Sequence, residues 1–237
     1  MDLSRGERPE HSQDRRALVA LGWVGLSGPL LMFAGDLLLY FQATSSEEFG
    51  QRIFEIIRDH DFSRVALGGI LGPVAAVLYM AAFLLAVLLI DGRHPRSRIG
   101  IFSLFAFMMA IGGAYHAQFP LLGFHVDAVQ AGILPPSETF PGVAEQPAQY
   151  ALLLLFSYLG LGALAWGWFG ILVAAGRTAL PRWSVLLTPF LFFWFSDLGA
   201  LLPQPLNVIV IGGWFNLCYL PLFSMLIWVA RRRSRAA

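Results

Sequence analysis

Two carboxylates, an imidazole and a carboxamide stand inside stretches that are otherwise hydrocarbon: Asp36, His116, Asp197 and Asn216. Polar groups at such depth are costly, so they turn toward a bundle interior, where they pair or mark a site. A central aspartate costs about 2.5–3.5 kcal/mol on insertion scales, and less near the interface or when neutral or paired. Three chemistries use such a set. Acid–base catalysis would hold one carboxyl neutral as the acid. A metal centre would take Asp36, His116 and Asp197 as ligands, with Asn216 or water completing the shell. Proton-coupled transport would change the protonation of an Asp–His pair during access. The plain structural role is an interhelical hydrogen bond, worth about 0.6 kcal/mol on average in a membrane.

Asp36, His116 and Asp197 are therefore the candidate catalytic residues, with His116 expected to pair with Asp36 or Asp197. Tyr40 lies one turn after Asp36; together with Tyr115, Gln118, His125 and Asn216 it forms the candidate ligand-binding set. No metal or other cofactor is expected. HxxxH and HExxH spacings are absent, and His116 is the only histidine well inside an apolar run, so a transmembrane haem relay lacks its second ligand. All sixteen basic residues are arginine, which excludes a lysine Schiff base. The single cysteine, Cys218, excludes an internal disulfide or a CxxC pair and reads as packing.

The elements that would position these groups are long apolar helices. Of 237 residues, 57% are hydrophobic and 13% charged, about half the charge of a soluble domain. Mean hydropathy is +0.65. About 20 apolar residues cross a ~30 Å hydrocarbon core. Six such spans are predicted, at about 17–41, 65–90, 99–124, 149–175, 183–202 and 207–230. They follow a tail over 1–16, read as preceding an uncleaved first span, and end in a basic tail over 231–237. The expected fold is thus an all-α polytopic membrane protein, one six-helix transmembrane bundle over 17–230. Glycines and alanines recur on one side of spans one, two and four, which lets backbones approach in lipid. Pro29, Pro73, Pro120, Pro189 and Pro221 predict kinks or local unwinding.

Arginine placement orients the bundle. Thirteen of the sixteen arginines fall in the N-tail, in the loops after spans two and four, and in the C-tail. By the positive-inside bias, those segments and both termini are cytoplasmic. The opposite loops carry Arg52, Arg58 and Arg64, outnumbered by acidic residues. A net charge of +1 gives no nucleic-acid footprint. The two outer loops are long. In 42–64, Ser45 and Glu48 have capping-box spacing, and Phe49, Ile53, Ile56 and Ile57 share one helical face, predicting an amphipathic helix on the outer membrane surface. The other loop, 125–148, holds Pro135, Pro136, Pro141 and Pro147 and is expected to form a lid.

Four short stretches carry a resemblance: Gly35-Asp36-Leu37-Leu38-Leu39-Tyr40, Leu71-Gly72-Pro73, Leu187-Thr188-Pro189 and Gly212-Gly213-Trp214-Phe215-Asn216. Together they resemble an uncharacterised family of small bacterial six-helix membrane proteins with no assigned activity. The resemblance implies a multi-pass protein of the bacterial inner membrane and points to Asp36 and Asn216. The sequence thus predicts an outward-facing polar pocket that binds or processes a small or lipidic ligand from the outer leaflet by Asp/His acid–base chemistry, with membrane lipids as partners. A proton-coupled solute transporter and a structural or accessory membrane protein are the other readings. Few polar groups stand in the cytoplasmic half beyond Ser103, Tyr79 and Ser224, which counts against transport.

Overall fold

A computed structural model describes residues 9–42, 45–138 and 142–232. Among them there are only helices and two isolated β-bridges. The helices are α1 (Pro9–Tyr40), α2 (Ser46–Asp59), α3 (Phe62–Leu88), α4 (Pro95–Ala117), α5 (Phe119–Gln130), α6 (Glu145–Ala174), α7 (Pro189–Phe192), α8 (Leu206–Leu217) and α9 (Leu220–Arg232). Two 3₁₀ segments, Arg182–Leu187 and Phe193–Leu201, flank α7. Four stretches are long and apolar enough to cross a membrane: Arg16–Tyr40, Phe62–Leu88, Pro95–Gln130 and Glu145–Ala174. A fifth arises if α8 and α9, bent by 44°, count as one span.

Small residues set the helix order. α1 packs most extensively on α3, because glycines remove side chains where the axes cross. A Cβ on Gly25 would overlap the backbone of Ala82, and one on Gly28 would lie 2.8 Å from the Tyr79 nitrogen. α4 lies beside α3, α6 beside α4, and α8 and α9 close the other flank of α1. Arginines tie successive helices together at their ends. Arg64, at the start of α3, donates to the Leu38, Phe41 and Leu37 carbonyls at 2.8, 2.8 and 3.0 Å. Arg98, at the start of α4, donates from Nε to the Ile90 carbonyl at 3.1 Å. A cation at a helix C-terminus satisfies carbonyls that have no intrahelical partner and opposes the negative end of the dipole.

The prolines act in two ways. Pro29 and Pro73 sit inside unbroken helices. Pro120 separates α4 from α5, and the freed His116 carbonyl accepts the Gln118 N–H instead. Residues 183–202, expected as one helix, form three short pieces. The physical reason is the spacing of prolines. Thr188 precedes Pro189 and takes ψ 134°, while Leu202 precedes Pro203 and takes ψ 149°. A residue before proline is pushed out of the helical region, so the run is cut at Thr188 and stops at Leu202, while α7 passes into the second 3₁₀ segment with helical dihedrals. The Ser184 hydroxyl donates to the Pro181 carbonyl and the Thr188 hydroxyl to that of Val185, holding the bent course.

The broken piece still joins opposite ends of the bundle. At one end, Ala179 donates to the Leu89 carbonyl at 2.8 Å and Asp91 to that of Arg177 at 2.9 Å, so the turns after α3 and α6 lie together. At the other end, α8 enters a cluster containing Leu39, Tyr40, Phe49 and Val208.

Two apolar clusters divide the interior. The larger is a stack of rings: Phe83 and Phe105 at 4.2 Å, Phe105 and Trp166 at 4.6 Å, Tyr79 and Tyr219 at 5.0 Å. The second lies where α1 ends and takes in α2 and α5. The apolar face of α2, expected to lie on the membrane, is buried within the protein: Phe49, Phe54, Ile56 and Ile57 are 5% exposed or less. Phe54 stacks on Phe119 at 6.0 Å. Glu48, the expected partner in the capping box, lies outside the described side chains.

Candidate functional site

The site begins with the α1–α3 crossing. Gly35 and Gly68 face one another, since a Cβ on either would approach the other's carbonyl to about the limit of contact, 3.1 and 3.0 Å. Gly72, one turn further along α3, leaves a notch that the His116 ring fills; a Cβ there would overlap the imidazole. α4 thereby presents His116 to α1, and Nε2 lies 3.1 Å from Asp36 Oδ1. From the other flank Asn216 of α8 donates through Nδ2 to Asp36 Oδ2 at 2.6 Å. Its Oδ1 accepts the Tyr79 hydroxyl at 2.9 Å. Four helices thus contribute one residue each to a chain of hydrogen bonds running Tyr79, Asn216, Asp36, His116.

The chain is internally consistent. With the His116 proton on Nε2, both Asp36 oxygens receive a donor, the pattern a carboxylate calls for. That fixes the Asn216 amide with its nitrogen toward Asp36 and its oxygen toward Tyr79. His116 Nδ1, in the Gly72 notch, has no partner among the described residues, which agrees with the proton on Nε2. Asp36, His116 and Asn216 are 5, 6 and 8% exposed. They are therefore screened little by water, and removing any one would strand the others.

A cavity of about 270 Å³ opens beside this chain, with Asp36, His116 and Asn216 on its wall. The rest is mostly apolar, including Met32, Met109, Phe119 and Phe215, with Phe49 and Ile53 of α2 among the wall residues. Tyr40 and Tyr115 also line it. The Tyr40 hydroxyl donates to the Gly212 carbonyl at 2.5 Å, whereas that of Tyr115 has no partner among the described residues.

Most of the sequence-predicted residues meet here. Asp36, His116, Asn216, Tyr40 and Tyr115 share the cavity, and the partner of His116 is Asp36. Two do not take part. The His125 Nδ1 bonds the Leu121 carbonyl of its own helix at 2.7 Å, and Gln118 stands outside the wall with Nε2 buried and unpartnered. The side chain of Asp197 lies outside the described residues. Tyr79 and Tyr158 were not singled out for the site; one ends the hydrogen-bond chain and the other lines the cavity. Tyrosine carries a hydroxyl on an apolar ring and leaves little mark in a hydropathy profile, so the available signal was only its placement in mid-span. Among the described residues no cluster of three metal-ligating side chains is present.

The four stretches that carry the family resemblance surround this site. Gly35, Asp36 and Tyr40 are in the first and Gly72 in the second. Thr188 and Pro189 make the break that lets Phe192 accept the Trp214 indole N–H at 2.8 Å. In the last, a Cβ on Gly212 would lie 2.6 Å from the Tyr40 ring and one on Gly213 would overlap Phe33, while Asn216 binds Asp36. Comparison with curated proteins and with solved structures finds no match. A family of unknown function (DUF6796) matches residues 14–233, nearly the whole chain, and the protein belongs to that family.

Proposed function

We propose that this is a six-pass protein of the bacterial inner membrane, both termini cytoplasmic, that binds or processes a small or lipidic molecule in an outward-facing cavity through Asp36 and His116. The observation that carries this reading is the buried Tyr79–Asn216–Asp36–His116 chain, whose last three members stand on the wall of a mostly apolar cavity. A structural tie would need one hydrogen bond between two helices; here a chain of four residues sets three of them, Asp36, His116 and Asn216, on a space large enough for a ligand. In acid–base terms, Asp36 and His116 would exchange a proton with the ligand, and Asn216 would hold the carboxylate in place.

The topology has separate support. Residues 182–205 run between the end holding the turns after α3 and α6 and the end holding Tyr40, a course that supports a sixth crossing of broken form. Each outer arginine is occupied locally: Arg52 pairs with Glu55 at 2.7 Å, Arg58 with Asp59 at 2.7 Å, and Arg64 caps α1. At the opposite end, Arg231 lies 5.3 Å over the Trp23 ring and Arg232 3.9 Å over Trp228. Cations paired with exposed tryptophans suit a membrane interface. Transport draws less support, because beneath the hydrogen-bond chain the rings of Tyr79, Phe83, Phe105 and Phe223 are fully buried and block an inward path.

The test is extraction of bound small molecules from purified wild type, Asp36→Asn and His116→Ala, with mass spectrometry as the readout. A species carried by wild type and missing from both variants is expected. The same profile from all three proteins would sink the proposal.

A further inference from the structure

We infer that the ligand is a long-chain alcohol, with an uncharged hydroxyl head at Asp36 and a single hydrocarbon tail in a second cavity between α6 and residues 189–193; this rests on the first cavity being a ligand site. The second cavity measures about 370 Å³. Its wall is almost wholly apolar, with Phe156 and Gly160 on one side and Phe190 and Phe193 on the other. It lies where the break before Pro189 divides residues 182–201 into short pieces that pack beside α6 in place of one regular helix. A Cβ on Gly160 would meet nothing within 4 Å. Tyr158 and Phe215 line both cavities, so the two lie side by side with these rings between them. Taken together, the adjoining spaces are polar at the Asp36 end and hydrocarbon at the other, a pattern that fits a single-tailed amphiphile.

The walls also select the head. Among the described residues no arginine lines either cavity, and His116 on the wall is already paired with Asp36. A phosphate or carboxylate head would therefore be buried beside Asp36 without a counter-charge, a costly arrangement. An ammonium could pair with Asp36 but has no lone pair for the free Tyr115 hydroxyl. An alcohol serves both: its O–H donates to Asp36 and its oxygen accepts from Tyr115.

The full chain in detergent would be titrated with hexadecan-1-ol, ionised hexadecanoic acid and hexan-1-ol, with native mass spectrometry as the readout. Hexadecan-1-ol is expected to bind tightest. Asp36→Asn and Gly160→Phe should each weaken it at least about tenfold, or about 1.4 kcal/mol. Gly167→Phe controls for folding: the same helix, open space, outside the cavity wall. It should bind as wild type does. Equal binding of the ionised acid would overturn the head assignment. Unchanged binding by Gly160→Phe would overturn the tail assignment and leave the first cavity standing. Loss in Gly160→Phe with full binding by Asp36→Asn would remove the first cavity as the site.

Discussion

The two halves of this bundle solve burial in opposite ways. Toward the end where α3 and α6 finish, the interior is rings on rings, with Phe83, Phe105 and Phe169 fully buried. Toward the end where α1 finishes, the interior holds a carboxylate, an imidazole and an amide, and a cavity. In lipid, apolar packing gains little from water exclusion, so the first half depends on close contact and the second on saturated hydrogen bonding. The first kind of interior degrades by losing volume. The second degrades by losing one partner, which leaves every other member unsatisfied.

The sharpest way to break that contrast is a large deletion in the ring stack. Phe83 touches Tyr79, Phe105, Trp166, Tyr219 and Phe223. Phe83→Ala should cost about 3–5 kcal/mol, read as thermal or denaturant unfolding in detergent. Bound ligand per folded molecule should stay at the wild-type level. Loss of ligand at full fold content would show that the halves are coupled and the contrast false.

The polar half predicts the reverse. Asn216→Leu removes the donor to Asp36 and the acceptor for Tyr79 together. It should cost about 1–3 kcal/mol and lose ligand binding in the population that remains folded. Tyr79→Phe removes only the outermost link, and about 0.6 kcal/mol is expected. If Tyr79→Phe costs as much as Asn216→Leu, the chain is one cooperative unit rather than a graded one, and a double-mutant cycle would measure the coupling.

How legible this was depends on the residue. Asp36, His116 and Asn216 announce themselves, because nothing but pairing or function keeps such groups in hydrocarbon. Which partner each takes was not readable, since it rests on glycine notches at 35, 68 and 72 that bring three helices together. Arg64 was counted only as a charge on the outer side, yet its guanidinium fixes the end of α1 on which Tyr40 sits. For α2, hydrophobic periodicity revealed an apolar face but not what would cover it; α5 does. Residues 183–202 show the limit of hydropathy most clearly. The run is apolar enough for a span, but Pro189 within it and Pro203 just after it dictate its path, and composition averages them away.

The smallest effects sharpen the comparison through pH. At the cavity end, His60 is held below the ordinary histidine range, first by burial and then by Arg64. Its Nε2 is buried without a partner, so a proton there would add an unsatisfied N–H. At the opposite end, half-buried Asp91 is lowered from 3.8 to about 2, chiefly by hydrogen bonds from Arg93, whose Nη2 lies 2.6 Å from Oδ2. Both groups bind protons more readily in the unfolded chain, so both add stability above their ordinary pKa and lose it as pH falls. The windows differ. For His60 the loss begins near 6.5, and for Asp91 it runs from 3.8 down to about 2. Mild acid should therefore loosen the cavity end first. His60→Gln should flatten the melting temperature just below 6.5, while Asp91→Asn should alter only the strongly acid limb and by less, since that pair is exposed and screened. An unchanged slope in His60→Gln would place the acid-sensitive group elsewhere and leave the two ends alike in their response to protons.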